Sequence, residues 1–230
     1  MVCEFKDKCK KYINNECDLE VSGFCLKVFK INYLYEQSLL SETQRKYIDL
    51  RIDADGTDRD AFKKLKEIEN NIEQFVSNAE NLYIHSSICG NGKTAWAIRL
   101  LQSYIKAIWY KSDLSCKALY VNVPRFLLSL KDSIGSTSSY IDFIKENIFN
   151  ADLVIWDEIG IKSPTQFEFE NLLNLINTRI DKGKSNIYTS NLTNIQLRDV
   201  MGERLYSRIL HLSTDIEFFG KDKRNLNREH

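Results

Sequence analysis

The sequence predicts an α/β fold in which a parallel β-sheet lies between helices, and three observations support this prediction. A short apolar strand at 82–84 precedes a glycine-containing loop and a helical pattern that begins at Lys93. A second run, 152–160 (DLVIWDEIG), places four apolar residues before two acids, as in a strand buried on both faces. Strand-like and helical patterns then alternate along the chain, which is typical of parallel strands joined by helices.

The loop after the first strand, Ser87 to Thr94 (SICGNGKT), fits the phosphate-binding pattern G-x-x-x-x-G-K-[ST] at every fixed position but the first. Its glycines let successive amide groups turn inward around a phosphate. Lys93 would supply a cation to the β- and γ-phosphates and Thr94 a hydroxyl to magnesium, while Ser87 must close the turn with ordinary backbone angles. A glycine-bearing surface turn is the alternative. The predicted nucleotide contacts are Ser87, Cys89, Gly90, Asn91, Gly92, Lys93, Thr94 and Ala95.

Length and charge restrict the classes of protein to consider. A chain of 230 residues can form one well-buried domain plus a small appendage. Basic and acidic residues number 32 each, so any contact with DNA must come from a local patch. No apolar run approaches the ~20 residues that span a bilayer, and the charged start lacks a signal-peptide core. We therefore predict a cytoplasmic protein with reduced thiols and no membrane partner.

Cysteines are concentrated at the start of the chain, where Cys3, Cys9, Cys17 and Cys25 occur within 25 residues. Such crowding favours four thiolates around one zinc ion, which would hold together a segment too short to fold on a core. The tight C-x-x-C spacing of zinc ribbons is missing, so an iron–sulfur cluster or unligated thiols are the alternatives. We predict a cysteine-rich module with a helical linker over residues 1–50 and a nucleotide-binding domain over 51–230.

The other elements follow from hydrophobic periodicity. Helical spacing over 31–52 indicates one or two helices, and Thr57 or Asp58 would cap a helix that continues to about Ala79. Further strands are expected at 118–123, 186–189 and 215–219, and further helices at 125–133, 140–147, 164–182 and 202–210.

Basic residues surround one loose tract between two of these helices. Arg125, Lys131 and Lys145 flank residues 135–139, which suggests a surface for single-stranded DNA. A solvated helix face is the alternative.

Two acids, Asp157 and Glu158, follow the strand that is predicted to be buried on both faces. Parallel sheets place their ligands at the carboxyl ends of strands, which is where these side chains emerge. Asp157 would bind magnesium through water, and Glu158 would polarise the water that attacks the γ-phosphate. Acids that merely cap a strand are the alternative.

Three later side chains complete the candidate catalytic set. Asn191 follows the strand at 186–189 and could hold the attacking water beside Glu158, with a simple turn as the alternative. Arg204 and Arg208 stand four residues apart, hence on one face of a short helix. An arginine that points away from its own site can supply charge to the site of a neighbouring copy, and surface ion pairing is the alternative.

In chain order, the segments SICGNGKT, LVIWDEIG, YTSNL and GERLYSRI resemble the phosphate loop, acidic strand, first sensor and arginine-finger box of the AAA+ ATPases. Over about residues 81–224 the chain is most similar to the DnaC/DnaI-like helicase loaders, including phage-carried versions, and to IstB-type transposition helpers. The segment 220–224 (GKDKR) is similar to a short motif near the end of such loaders. Ser87 departs from the family pattern, and no helical lid follows the finger helix.

This resemblance implies a five-stranded sheet of order 5-1-4-3-2. It implies that Lys93 and Thr94 bind nucleotide and magnesium. It also implies that Asp157 and Glu158 are the acidic pair and that Asn191 is the sensor. Arg208 would be the finger, and Arg204 the first arginine of the finger box.

The same resemblance implies a function. We expect an ATPase with ATP, Mg²⁺ and Zn²⁺ as cofactors that binds a hexameric replicative helicase through its cysteine module and helps place it on single-stranded DNA. Copies would associate through the Arg208 finger. The alternatives are an IstB-like transposition helper and a zinc-stapled adaptor that binds ATP with little hydrolysis.

Overall fold

The structure, a computed structural model, describes residues 9–46, 48, 50, 56–133 and 138–223. Within these ranges, helices and strands alternate as in an α/β protein. The helices are α1 (Lys10–Ile13), α2 (Asp18–Ser22), α3 (Leu26–Gln37), α4 (Arg59–Asn70), α5 (Ile72–Ser77), α6 (Lys93–Ile108), α7 (Val123–Asp132), α8 (Ser139–Asn147), α9 (Gln166–Asp181) and α10 (Asn194–Leu210). The strands are β1 (Asn81–His85), β2 (Ala118–Asn122), β3 (Leu153–Asp157), β4 (Ser185–Ser190) and β5 (Ser213–Glu217).

The strands form one parallel sheet with the order β2-β3-β4-β1-β5. Read from the opposite edge, this is the order 5-1-4-3-2 that the family resemblance implied, so that prediction is confirmed. Asn122 pairs with Asp157, and His85 pairs with Ser190. The carboxyl ends of four strands therefore meet at one edge of the sheet, where the loop after β1 and the acids after β3 emerge on either side of β4.

Helices cover both faces of the sheet, and each face has its own hydrophobic core. On one face Ile155 of β3 belongs to a cluster that includes Leu101 of α6. On the other face Trp156 of β3 belongs to a cluster that includes Phe126 of α7 and Leu172 of α9. Successive residues of β3 thus enter opposite cores, which confirms the prediction of a strand buried on both faces.

Two of the predicted helices have different extents in the structure. The helix expected from Thr57 or Asp58 to Ala79 is two helices, because the chain leaves helical geometry at Asn71 (φ −114°, ψ 27°). Asp58 precedes α4, but its carboxylate makes no capping bond and instead accepts hydrogen bonds from the backbone of a distant segment. The expected helix at 202–210 is the second half of α10, whose backbone is broken at Gly202 (φ 71°, ψ 158°).

The strand expected at 118–123 ends at Asn122 because that residue caps the next helix. The side-chain oxygen of Asn122 accepts a hydrogen bond from the backbone N–H of Arg125 (3.1 Å), and Pro124 lies in the first turn of α7. The last strand, β5, ends at Glu217 instead of 219. Phe218 then donates its backbone N–H to the carbonyl of His85 (2.9 Å), which leads the chain towards the loop after β1.

Helix α3 packs directly on the nucleotide-binding domain. Ile31, Leu34 and Tyr35 are buried in the core that also contains α6. The turn after α3 continues this attachment, since the carbonyl of Ser38 accepts a hydrogen bond from the backbone N–H of Tyr120 on the edge strand β2 (2.9 Å). The division of the chain at residue 50 stays a prediction.

The described part of the cysteine-rich start contains Cys9, Cys17 and Cys25. Among the residues that the structure describes, no three histidine, cysteine or acidic side chains form a group suited to a metal ion. Cys3 lies outside the described residues, as do residues 135–137 of the loose tract and Arg224. In the described ranges, no helix combines the length and the hydropathy that crossing a bilayer requires.

Candidate nucleotide-binding site

The loop between β1 and α6 has the geometry of a phosphate cradle. Gly90 and Gly92 adopt positive φ angles of 74° and 107°, and Gly92 immediately precedes the first turn of α6. Ser87 is not among the described non-glycine residues with positive φ, so its side chain causes no backbone strain. The amides at the start of this 16-residue helix, together with the helix dipole, favour an anion at this point.

Lys93 lies inside the curve of the loop. Its side chain is almost fully buried, and Nζ donates hydrogen bonds to the carbonyl of Ile88 (2.8 Å) and to Oδ1 of Asn91 (3.1 Å). Asn91 in turn donates from Nδ2 to Oγ of Ser86 (2.7 Å). The loop therefore holds the lysine ammonium group near its own backbone, which places a positive charge where a bound phosphate would lie.

Asp157 connects three elements at the end of β3. Its Oδ1 accepts hydrogen bonds from the hydroxyl groups of Thr94 (2.8 Å) and Thr189 (2.6 Å), and its Oδ2 accepts one from Tyr120 (2.6 Å). Burial and the nearby Asp157 carboxylate raise the pKa of Tyr120, so its hydroxyl remains a donor at neutral pH. The hydroxyl of Thr94 and the carboxylate of Asp157 are hard oxygen ligands, and their separation suits a shared Mg²⁺ ion.

Glu158 has a left-handed backbone conformation (φ 62°) and turns its side chain towards β2. Its Oε2 accepts a hydrogen bond from Nδ2 of Asn122 (3.0 Å), while its backbone N–H donates to Oγ1 of Thr189 (3.0 Å). Thr189 thus contacts both acids, because its hydroxyl group donates to the carboxylate of Asp157 and accepts from the backbone N–H of Glu158. A non-glycine residue held at positive φ is strained, and such strain is common at functional sites.

The phosphate loop, Thr94, Glu158 and Thr189 line one open cavity of about 400 Å³, and Asp157 is buried next to Thr94. Its wall includes residues from three parts of the chain: Thr43, Gln44 and Ile48; Gly90 to Ala95; and Glu158, Thr189, Ser190 and Asn191. Thr94, Asp157 and Glu158, which the sequence predicted to act together, are brought together by the fold. Ser87 and Cys89 lie on the exposed side of the loop and do not line the cavity.

Arg204 and Arg208 lie elsewhere. Both are exposed on the second half of α10, neither lines the cavity, and among the described residues neither forms a salt bridge. Their role as fingers stays a prediction.

Three functional side chains were not foreseen from the sequence. Asn122 is the last residue of β2 and Thr189 the last but one of β4, the strands that flank β3, and Tyr120 precedes Asn122 on the same face of β2. Their significance depends on which strands are neighbours, because polar residues near a strand end are common. The strand order implied by the family resemblance was the signal that could have identified them.

A segment near the C-terminus, residues 218–223, lies across the phosphate loop. Asp58 holds it by accepting hydrogen bonds from the backbone N–H groups of Phe219 (2.6 Å) and Gly220 (2.9 Å). The backbone N–H of Lys223 donates to the carbonyl of Gly90 (3.0 Å). A Cβ atom built on Gly90 would lie 1.9 Å from Oδ1 of Asp222, so this carboxylate packs directly on the loop and only glycine fits there.

The sheet order, the phosphate loop after β1 and the acid pair after β3 define an AAA+ P-loop NTPase fold. Within this class the chain belongs to the family of IstB-like ATP binding proteins, whose sequence model matches residues 40–230. The protein is therefore an ATP-binding protein. The matched range includes Thr43, Gln44 and Ile48, which line the cavity together with the loop.

Solved structures with the same fold include the DnaC helicase loader, DnaI and DnaA. The DnaC helicase loader is 15% identical over 78% of this chain and 100% of its own, with a TM-score of 0.60. DnaI is 21% identical over 83% of this chain and 100% of its own, with a TM-score of 0.59. AMPPCP-bound DnaA from Aquifex aeolicus is 20% identical, with a TM-score of 0.56, and the match covers 83% of this chain but only 55% of DnaA.

At these identities the likeness concerns the fold. No curated protein matches the sequence.

Proposed function

We propose that the protein hydrolyses ATP and acts as a helicase loader, which binds a replicative DNA helicase and helps place it on single-stranded DNA. The observation that carries this proposal is that Lys93, Thr94 and Glu158 line one cavity, with Asp157 hydrogen-bonded to Thr94 at its wall. The family assignment supports ATP binding, and the fold shared with DnaC, a helicase loader by name, supports the loader role.

The geometry supports a division of roles within one site. The loop amides and Lys93 bind the β- and γ-phosphates, and Thr94 and Asp157 hold Mg²⁺, which would neutralise charge on the phosphates. Glu158 orients the attacking water once its carboxylate leaves Asn122, and Asn191 contributes a polar group on the same wall of the cavity. Arg208 of a neighbouring copy supplies the charge that the site lacks by itself.

The N-terminal helices offer a surface for the helicase. Five apolar side chains on or beside α1, α2 and α3 are at least half exposed: Ile13, Val21, Phe24, Leu26 and Phe29. The rings of Phe24 and Phe29 lie 5.8 Å apart, and Phe29 stacks on Tyr33 at 6.5 Å. Exposed apolar groups that cluster in this way are characteristic of protein interaction sites.

Co-purification tests the helicase partner. The wild-type protein should retain a replicative helicase, and the double variant Phe24→Ser/Phe29→Ser should lose it while still binding ATP. Phe219→Ser, which changes an equally exposed ring at the other end of the chain, is the matched control and should retain the helicase. Retention by the double variant would contradict the proposed surface.

An IstB-like transposition helper is a second candidate function, which the family assignment favours. Parallel pull-downs with a replicative helicase and with a transposase separate the two candidates. Steady-state ATP turnover, measured with and without single-stranded DNA and helicase, tests the third possibility of an adaptor that hydrolyses little ATP.

Zinc enters the proposal only as a structural ion of the cysteine-rich start. The described cysteines supply no group of three donors, so no step of the mechanism depends on zinc. Metal analysis of the purified protein tests for this ion. One zinc ion per chain that is lost in the Cys17→Ser variant would support a zinc-bound cysteine module, and a zinc-free protein would exclude one.

A further inference from the structure

Tyr120 occupies an unusual position between the catalytic edge of the sheet and the chain that leads in from the N-terminal helices. Its hydroxyl donates to Oδ2 of Asp157 (2.6 Å), the carboxylate that would hold Mg²⁺ together with Thr94. Its backbone N–H donates to the carbonyl of Ser38 (2.9 Å), the first residue after α3. One residue thus contacts both the metal-binding acid and the end of the helix that follows the cysteine-rich start.

The segment that Tyr120 contacts, residues 38–46, is an ordered part of the domain, and we refer to it as the linker segment. Ser38 and Leu40 are buried. Arg45 fixes the turn by donating from Nε to the carbonyl of Leu40 (2.9 Å) and by pairing with Glu36 (3.0 Å). Gln102 of α6 holds the far end through bonds to the carbonyls of Gln44 (2.6 Å) and Lys46 (3.0 Å).

The linker segment also reaches the nucleotide cavity. Thr43 and Gln44 line it together with the phosphate loop. Gln44 also lines a second cavity together with the Tyr120 side chain. A movement of this segment would therefore reach Tyr120, and within the described residues β2 is an edge strand with no neighbouring strand on that side.

We propose that Tyr120 is a positioning residue that orients Asp157 for Mg²⁺ and couples this orientation to the linker segment. A partner bound to the N-terminal helices would then change ATP turnover by displacing the linker segment. This inference rests on the proposed ATPase function and adds a route for its regulation. Since Tyr120 reaches the metal only through Asp157, it changes the response to Mg²⁺ more than the affinity for nucleotide alone.

The test compares Tyr120→Phe with Tyr104→Phe. Tyr104 is a matched control because its hydroxyl donates to another aspartate, Asp152 (3.2 Å), at the opposite end of β3. ATP turnover and the binding of a fluorescent ATP analogue are measured across a range of Mg²⁺ concentrations. Tyr120→Phe should raise the Mg²⁺ concentration for half-maximal turnover about tenfold and leave binding without Mg²⁺ unchanged, as expected when one hydrogen bond to a charged group is lost.

Tyr104→Phe should lower the thermal unfolding midpoint without moving the Mg²⁺ dependence. An unchanged Mg²⁺ dependence in Tyr120→Phe, or an equal shift in both variants, overturns the positioning role. If the wild-type protein binds no nucleotide at all, the proposed ATPase function fails instead, so the two failures are distinguishable.

A double-mutant cycle tests the coupling to the linker segment. Arg45→Ala removes the bonds that fix the turn and should also raise the Mg²⁺ requirement, whereas Arg198→Ala, at an exposed arginine on α10, should not. Because both changes would act through Asp157, the double variant Tyr120→Phe/Arg45→Ala should shift no further than Tyr120→Phe alone. If the shifts in Mg²⁺ requirement of the two single variants are additive in the double variant, the linker segment acts independently of Tyr120 and the coupling is overturned.

Discussion

At the scale of single residues, the site depends on hydroxyl and amide groups that hold two acids in different environments. Asp157 accepts three hydrogen bonds from hydroxyl groups, whereas the side chain of Glu158 accepts one bond from Asn122. The heavily bonded acid is suited to a fixed metal-binding role, and the less constrained acid is suited to move towards water. We therefore expect the two adjacent carboxylates to differ in function, because their hydrogen-bond partners differ.

The Glu158→Gln variant tests this division. It should bind ATP as tightly as the wild-type protein, because the phosphates are held by the loop and Lys93. Its turnover should fall at least about 100-fold, since glutamine cannot take a proton from water. Equilibrium binding and single-turnover hydrolysis give the two quantities, and a variant that hydrolyses ATP at the wild-type rate would show that Glu158 is not the base.

Four candidate site residues could be predicted from the sequence alone, because each lies at a fixed spacing within one short motif. Lys93 and Thr94 follow the glycines of one loop, and the two acids follow one apolar run. Tyr120 and Thr189 were missed because their role depends on contacts across strands, between residues 37 and 32 positions apart in the sequence. Periodicity within one strand carries no information about such partners.

At the scale of elements, the segment 218–223 changes the surroundings of the phosphate loop. It places the carboxylate of Asp222 against Gly90, close to where the loop would receive an anionic ligand. A negative charge there opposes a triphosphate through simple electrostatic repulsion. This contact could not be predicted from the sequence, because Asp222 and Gly90 are 132 positions apart (222 − 90).

Asp222→Asn should therefore strengthen ATP binding by about threefold, the size expected for one largely exposed charge. The effect should shrink at high salt because mobile ions screen it. Lys221→Gln, a neighbouring change that removes a positive charge, provides the control and should not strengthen binding. Weaker ATP binding by Asp222→Asn would indicate that this carboxylate supports the loop.

A buried arginine stabilises the end of the sheet opposite the cavity. Arg179 of α9 is fully buried and donates to the carbonyls of Ile148, Ala151 and Ser185 and to the side chain of Asn186. One guanidinium group thus joins the segment after α8 to the start of β4. Burial lowers its pKa to about 10, which still leaves it charged at neutral pH.

Arg179→Leu should lower the free energy of unfolding by about 3 kcal/mol or more, because several buried carbonyl groups lose their donor. Urea denaturation measures this, and Arg198→Leu, at an exposed position on α10, should change stability by less than about 0.5 kcal/mol. Equal stability of the two variants would contradict the role assigned to Arg179.

At the scale of the whole molecule, the fold follows from the alternation of apolar strands and helices, and the predicted strand order is confirmed. The attachment of α3 and the linker segment to the domain was not predicted. It depends on side chains such as Ile31 and Leu34, whose periodicity fits a core contact or a partner contact equally well. Only the fold distinguishes these two environments.

Arg208 is exposed and does not line the cavity of its own chain, so its proposed role requires that copies of the protein associate. Arg208→Ala should bind ATP normally and lose most of its turnover. Mixing it with Glu158→Gln should restore part of the activity, since some interfaces would then combine an intact acid with an intact finger. Turnover that stays at the level of the separate variants would contradict a site shared between copies.

We propose that one Mg²⁺-ATP binds against the loop amides and Lys93, with its metal facing Asp157. Isothermal titration calorimetry of the wild-type protein and Lys93→Ala, with and without Mg²⁺, tests this binding mode. We expect one binding event per chain for the wild-type protein, weaker binding when Mg²⁺ is removed, and no measurable heat for Lys93→Ala. Equal heats for the two proteins, or no heat from the wild-type protein, would contradict it.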